Sequence, residues 1–177
     1  MSESLIQVVD ENDRPLRGGT MDEVQLDGLW HRIVGVMVHD SKRDLYLLQK
    51  IAPNPYYNSG KWNLTATGHV DEGETYLRAA KRELHEEMGI VGTDLLRGEY
   101  YTEDRHESRA GENRRYRRFY QIYKLDVDSR RIDVSPGANE VQDVSWFSGN
   151  ELIAMSDQAS SDMTSTLLRF INSLRSK

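Results

Sequence analysis

Gly68-His-Val-Asp-Glu-Gly-Glu-Thr-Tyr-Leu-Arg-Ala-Ala-Lys-Arg-Glu-Leu-His-Glu-Glu-Met-Gly-Ile90 is the stretch that decides the fold. It reads as a loop feeding one helix, with Thr75 as N-cap and Gly89 where helices end in a left-handed residue. Between those caps Tyr76, Ala80, Leu84 and Met88 recur every fourth residue, which gives the helix a single apolar stripe to bury. Glu83, Glu86 and Glu87 fall beside that stripe. Residues three and four apart share a helical face, so each like-charge pair costs about 0.2–0.5 kcal/mol. A hard divalent cation reverses that sign. Mg2+, which prefers oxygen ligands and is usually shared between carboxylates and substrate phosphates, is the natural candidate, with Mn2+ the alternative ion.

The pattern Gly68, five residues, Glu74, seven residues, Arg82-Glu83-Leu84, one residue, Glu86-Glu87, one residue, Gly89-Ile90 resembles the Nudix box at every position that motif fixes. Arg82 and Glu86 alone would pass as an ordinary i,i+4 ion pair on a solvated face. The spacing back to Gly68 and Glu74 is what that reading leaves unexplained. The resemblance implies an α/β fold, a Nudix-type α/β/α sandwich with a mixed central sheet. It also implies a metal site made by Glu83, Glu86, Glu87 and the carbonyl of Gly68, with Glu74 and Arg82 a structural pair. The activity implied is Mg2+-dependent hydrolysis of a diphosphate bond in a nucleoside diphosphate or triphosphate derivative. For the base that takes the proton from water, Glu83 and Glu140 stand open, with Glu72 a weaker third.

With 177 residues, 37% hydrophobic and 29% charged, the chain suits one good core, and a single domain over 1–177 is expected, with 1–27 as an N-terminal hairpin and short helix and 28–177 as the core. The net charge of −6 disfavours broad binding to nucleic acid or anionic membrane. No cysteine is present, which removes disulfides, thiolate metal sites and cysteine nucleophiles and fits a cytoplasmic protein. No secretory leader or membrane span is read. The expected partner is a small-molecule diphosphate, with a homodimer left open.

In chain order, Leu5–Val9 reads as a strand, the turn at Asp10–Pro15 leads to a segment ending at Gly18-Gly19, and Thr20 with Glu23 is a capping box for a helix over 21–26. His31–His39 and Leu45–Gln49 read as a hairpin, and Lys61–Thr67 as a strand delivering the chain to Gly68. Leu95–Thr102 and Arg115–Val127 read as strands joined by a long polar loop. Gly137–Phe147 reads as a strand, Asn150 as the cap of a helical turn at 151–155, and 160–174 as one last helix.

Glu103–Arg118 holds Arg105, Arg109, Arg114, Arg115, Arg117 and Arg118. Guanidinium forks suit phosphate. Most of these are read as charge on an exposed strand or loop, and Arg115 and Arg117 are carried forward, with Lys50 and Lys61, as substrate contacts. Trp62, Tyr56 and Tyr57 are aromatic candidates for stacking on a base. Two other functions compete. Leu29-Trp30-His31 and Gly68-His69 resemble the metal-binding histidines of the isopentenyl diphosphate isomerase-like branch, yet Thr67 stands where those isomerases carry a cysteine. A non-catalytic nucleotide-binding Nudix module is the third reading; the intact box carboxylates argue against it.

Overall fold

The computed structural model describes residues 4–53, 58–91, 94–109 and 112–175. Nine strands and four helices follow in order: β1 (Ile6–Val9), β2 (Pro15–Gly19), α1 (Met21–Leu26), β3 (Trp30–Asp40), β4 (Leu45–Ile51), β5 (Trp62–Asn63), β6 (Ala66–His69), α2 (Tyr76–Met88), β7 (Leu96–Arg109), β8 (Glu112–Asp126), β9 (Val141–Ser148), α3 (Gly149–Gln158) and α4 (Ser165–Leu174), these being the elements among the described residues. The class is α/β with a mixed sheet, as the box implied. No helix among the described residues is long and apolar enough to cross a membrane.

The chain forms two compact units: Met1–Gly35 with Gly68–Ala80 and Arg97–Tyr123, and Val36–Thr67 with Lys81–Leu96 and Lys124–Lys177. In the first, β1 and β2 form an antiparallel hairpin in the register Ile6↔Gly19. Thr20 caps α1 with the reciprocal Glu23 bond, over the residues expected. Val24 from that helix packs on Ile6 and Val8. The hairpin then holds the loop that precedes α2. Gln7 N–H donates to the Val70 carbonyl at 2.8 Å, Val70 N–H to Arg32 at 3.1 Å and Glu72 N–H to Leu5 at 2.7 Å. The Gln7 side-chain oxygen accepts the Gly73 N–H at 2.9 Å. Four bonds to β1, β3 and the residue ahead of β1 thus give an irregular loop backbone the partners it cannot find in itself.

In the same unit β7 and β8 pair as one long ribbon. The polar loop expected between Thr102 and Arg115 is instead strand up to Arg109 and again from Glu112. The reason is cross-strand complementarity, which makes opposite charges on facing strands favourable. Arg115 forks onto Asp104 at 2.8 and 2.7 Å, Tyr101 stacks on Tyr120 at 4.7 Å, and the Arg105 guanidinium sits 4.8 Å over the Tyr116 ring.

The second unit is built on β4, which pairs antiparallel with β3 (Val38↔Leu47), with β5 (Gln49↔Asn63) and along its whole length with β9. Lys61–Thr67 is not one strand. It breaks at Leu64-Thr65, where Thr65 turns its fully buried hydroxyl to donate to the Leu47 carbonyl at 2.5 Å and to accept the Val38 N–H at 2.8 Å. Thr65→Val keeps the shape and strands both backbone groups, so unfolding is expected about 1–3 kcal/mol easier by calorimetry; an unchanged midpoint would mean the hydroxyl is dispensable.

Two further helix boundaries differ from expectation. Ser148 caps α3, paired reciprocally with Glu151, so Asn150 lies inside the helix. The last helix divides into a 3-10 turn at Ser160–Asp162 and α4, because Met163 is extended and Thr164 caps anew on the Leu167 N–H. That break lets Thr164 N–H donate to the Trp62 carbonyl at 3.0 Å and its hydroxyl to Asn63 at 2.8 Å, tying α4 to β5.

Candidate active site

Helix α2 begins where Thr75 Oγ1 accepts the Arg78 N–H at 3.3 Å and ends at Gly89 with φ +71°, as the caps required. Ala80, Leu84 and Met88 are fully buried, so the apolar stripe faces inward. Glu83 and Glu87 are carried in with it and are only 7% and 6% exposed, whereas Glu86, one step around the helix, keeps half its side chain in solvent. The second unit therefore holds two acids of like charge four residues apart in its interior.

Their partners divide them. Both Gln49 Nε2 and the Thr67 N–H donate to one oxygen of Glu87, at 2.8 and 2.9 Å. Arg82 Nη1 donates to Glu83 at 2.7 Å and to Glu86 at 3.2 Å. Burial pushes Glu83 up to about 7 against the pull of Arg82, with the charges of Glu86 and Glu140 adding to the rise. Burial also lifts Glu87 well above the usual carboxylate range; Glu83 adds to this, the Thr67 and Gln49 bonds oppose it, and Glu140 contributes further. Near neutral pH Glu83 can therefore both hold and release a proton, as a general base must.

Glu140 reaches this neighbourhood through a pinned loop. Ser135 N–H donates to the Met88 carbonyl at 2.8 Å and Gly137 N–H to that of Glu87 at 3.0 Å, while the Ala52 N–H holds the Glu140 carbonyl at 2.9 Å. A Cβ at position 137 would stand 2.6 Å from the Glu86 carbonyl oxygen, so only glycine fits the approach. The Glu140 side chain is exposed.

The donors are all oxygen, two of the acids are buried, and Arg82 is the cation between Glu83 and Glu86. This chemistry fits a hard divalent ion, which would relieve the like-charge penalty that burial enlarges. The described residues contain no ready-drawn group of three such acids. Glu86 is held on Arg82 instead.

The other expected contacts are scattered. Gly68 lies in β6 and belongs to the first unit. Lys50 Nζ sits 5.9 Å over the Trp62 ring in the second unit, and Lys61 holds the β4–β5 turn through its backbone. Arg115 is committed to Asp104, which also draws Arg117 to 3.7 Å, and Arg117 lies 5.8 Å over Trp30. Glu72 accepts the Gly18 N–H at 2.7 Å, and Glu74 the Asp71 N–H at 3.2 Å. Tyr56, Tyr57 and the side chain of Arg109 lie outside the described residues.

His31 is fully buried, its ring stacked on His69 at 5.5 Å. Nδ1 is 2.9 Å from the Leu29 carbonyl and Nε2 accepts Arg118 Nε–H at 3.3 Å, which fixes a neutral tautomer. Burial and the Arg118 charge push it down to about 4 against the Leu29 bond.

Sequence reasoning passed over Gln49 and the Thr67 amide. A glutamine closing the otherwise apolar run Leu45-Tyr-Leu-Leu48 was the available signal, since a buried amide side chain needs a partner.

A NUDIX domain model matches residues 29–169. The isopentenyl-diphosphate Delta-isomerase of Pectobacterium atrosepticum is 39% identical over 85 residues, 48% of this chain and 47% of that one. The chain spans about half the length of the first curated relatives it matches. Among solved structures, one from Deinococcus radiodurans has a TM-score of 0.71 at 17% identity, covering 94% of this chain and 96% of its own. A C. elegans Ap4A hydrolase binary complex has a TM-score of 0.52 at 25% identity, covering 82% and 98%.

Proposed function

The chain belongs to the Nudix family, and from that premise we propose that it is a divalent-metal-dependent pyrophosphohydrolase cleaving a diphosphate bond in a nucleoside diphosphate or triphosphate derivative by attack of water on phosphorus. The observation that carries this reading is the burial of Glu83 and Glu87 side by side on α2, which lifts both above the usual carboxylate range. Within the second unit, Glu83, Glu86 and Glu87 would hold Mg2+ or Mn2+. When bound, such an ion neutralises charge gathering on the diphosphate oxygens and acidifies water.

The chain's own residues supply the rest. Gln49 and the Thr67 amide fix the Glu87 carboxylate in one orientation, as supporting hydrogen bonds do around a metal ligand. Glu83, raised to about 7, can take a proton from water at physiological pH, and the exposed Glu140 can pass one to solvent. Lys50 and Lys61 remain the candidate phosphate contacts in the second unit. The Arg115 and Arg117 assignments would require each to share its charge with Asp104. A nucleotide substrate draws support from the likeness to the Ap4A hydrolase.

The isomerase reading ranks second, and its support is the likeness to isomerases over half their length. Against it stand the absence of cysteine, Thr67 at the reacting position, and a His31 ring whose Nε2 is already bound to Arg118.

Incubation with nucleoside diphosphate derivatives, dinucleoside polyphosphates and isopentenyl diphosphate, with and without Mg2+, tests the choice. Mg2+-dependent hydrolysis rising toward mildly alkaline pH is expected. Undiminished turnover by a metal-stripped sample in EDTA would refute the metal role, and dimethylallyl diphosphate among the products would reverse the ranking.

A further inference from the structure

Behind the two groups that hold Glu87, and within the same unit, lies another buried amide side chain, that of Asn63. Asn63 stands opposite Gln49 in the β4–β5 ladder, and residues opposite one another project their side chains to one face. It is only 5% exposed, and both ends of its amide are engaged. Nδ2 donates to Thr67 Oγ1 at 2.8 Å, and Oδ1 accepts the Thr164 hydroxyl at 2.8 Å. Thr164 is itself fixed, because its Oγ1 caps α4 by accepting the Leu167 N–H at 3.2 Å. A run of hydrogen bonds therefore leads from the cap of α4 through Asn63 and Thr67 to one oxygen of Glu87.

A buried amide must find its hydrogen bonds, whereas an apolar side chain would fill the place without needing any. What Asn63 adds is a fixed position for Thr67. The chain leaves the strand conformation at Leu64-Thr65, between β5 and β6, and the Asn63–Thr67 bond closes across that break. It restrains the residue whose N–H is aimed at Glu87. Gln49 serves the same carboxylate directly, so two amides paired across the ladder converge on one acid. Fully satisfied buried networks rigidify what they connect. Removing the partners that orient a metal ligand typically costs about 10–100-fold in metal affinity or activity.

We propose that Asn63 is a positioning residue for the metal site, acting on Glu87 through Thr67; this rests on the reading of Glu83, Glu86 and Glu87 as metal ligands. The test is Mn2+ binding to the full chain without substrate, followed by the electron paramagnetic resonance signal of the free ion. Asn63→Ala is expected to weaken binding about tenfold or more. Thr67→Val keeps the branched shape and the backbone N–H and removes the hydroxyl that Asn63 holds, so it should weaken binding to the same extent. The double variant should be no worse than either single one, as for two residues that act through one bond. Ser148→Ala removes the cap of α3 in the same unit; it should lower the thermal midpoint yet bind Mn2+ as wild type does, which separates positioning from loss of stability. Wild-type affinity in both Asn63→Ala and Thr67→Val, losses that add in the double variant, or an equal loss in Ser148→Ala would each overturn the proposal and leave the hydrolase reading intact. The expected losses in a protein whose wild type hydrolyses no diphosphate would sustain this proposal and refute the hydrolase reading. Absence of Mn2+ binding by the wild type would overturn both.

Discussion

Glu87→Gln is expected to lower turnover about a hundredfold or more, the scale of losing a major electrostatic stabiliser, while the metal-free protein stays folded. The argument rests on what the amide keeps and what it loses. Gln49 Nε2 and the Thr67 N–H both donate to one oxygen of Glu87, and a glutamine carbonyl in the same place accepts both. The substitution deletes only the charge. Because burial and Glu83 both oppose that charge, the metal-free variant should be as stable as wild type or somewhat more so. Mg2+ should raise the thermal midpoint of wild type and do so much less for the variant, since an ion stabilises only in proportion to its affinity for the folded state. Early unfolding with an unchanged turnover number would make Glu87 a structural residue and move the metal site elsewhere.

That prediction was readable from the sequence because the box couples local and distant signals. Thr75, the four-residue stripe and Gly89 each mark the same helix, and α2 begins and ends where they require. Thr20 with Glu23 worked in the same way for α1. The same signature, Ser148 with Glu151, was present ahead of α3, but a lone Asn150 drew the boundary two residues late. Capping is reciprocal, so a pair of residues at the right spacing outweighs one good cap former.

The long β7–β8 ribbon was illegible for a different reason. Its charged residues read as loop one at a time, and only the facing strand turns Asp104 and Arg115 into a ladder. The break in Lys61–Thr67 has the same origin, since Thr65 satisfies backbone groups of β3 and β4 that no local window contains. At the candidate site the spacing placed three acids on one helical face without saying which of them would be buried. The structure separates Glu83 and Glu87 from Glu86, and Arg82 donates to Glu83 as well as to Glu86.

That separation carries the strongest consequence for stability. In the metal-free protein, stability should fall by about 3 kcal/mol from Glu83 alone as pH rises from roughly 4.5 to above 7, at 1.36 kcal/mol for each unit between the unfolded and folded values. The direction follows from the sign of the shift. Folding raises the pKa of Glu83, so the native state binds the proton more tightly than the unfolded chain. Its contribution is complete below the unfolded value of 4.5 and is lost as pH climbs through about 7. Glu87 shifts in the same direction, chiefly through burial and then through the charge of Glu83, so its proton adds to the same pH dependence. An ion that binds the deprotonated acids should stabilise more at pH 8 than at pH 5 and flatten the decline. Thermal unfolding in EDTA between pH 5 and 8, repeated for Glu83→Gln with Glu87→Gln, measures the effect directly. The double variant should lose most of the slope and be the more stable protein at pH 8. A slope equal to that of wild type would show that other groups govern the pH dependence and that the two glutamates are not strained by their burial.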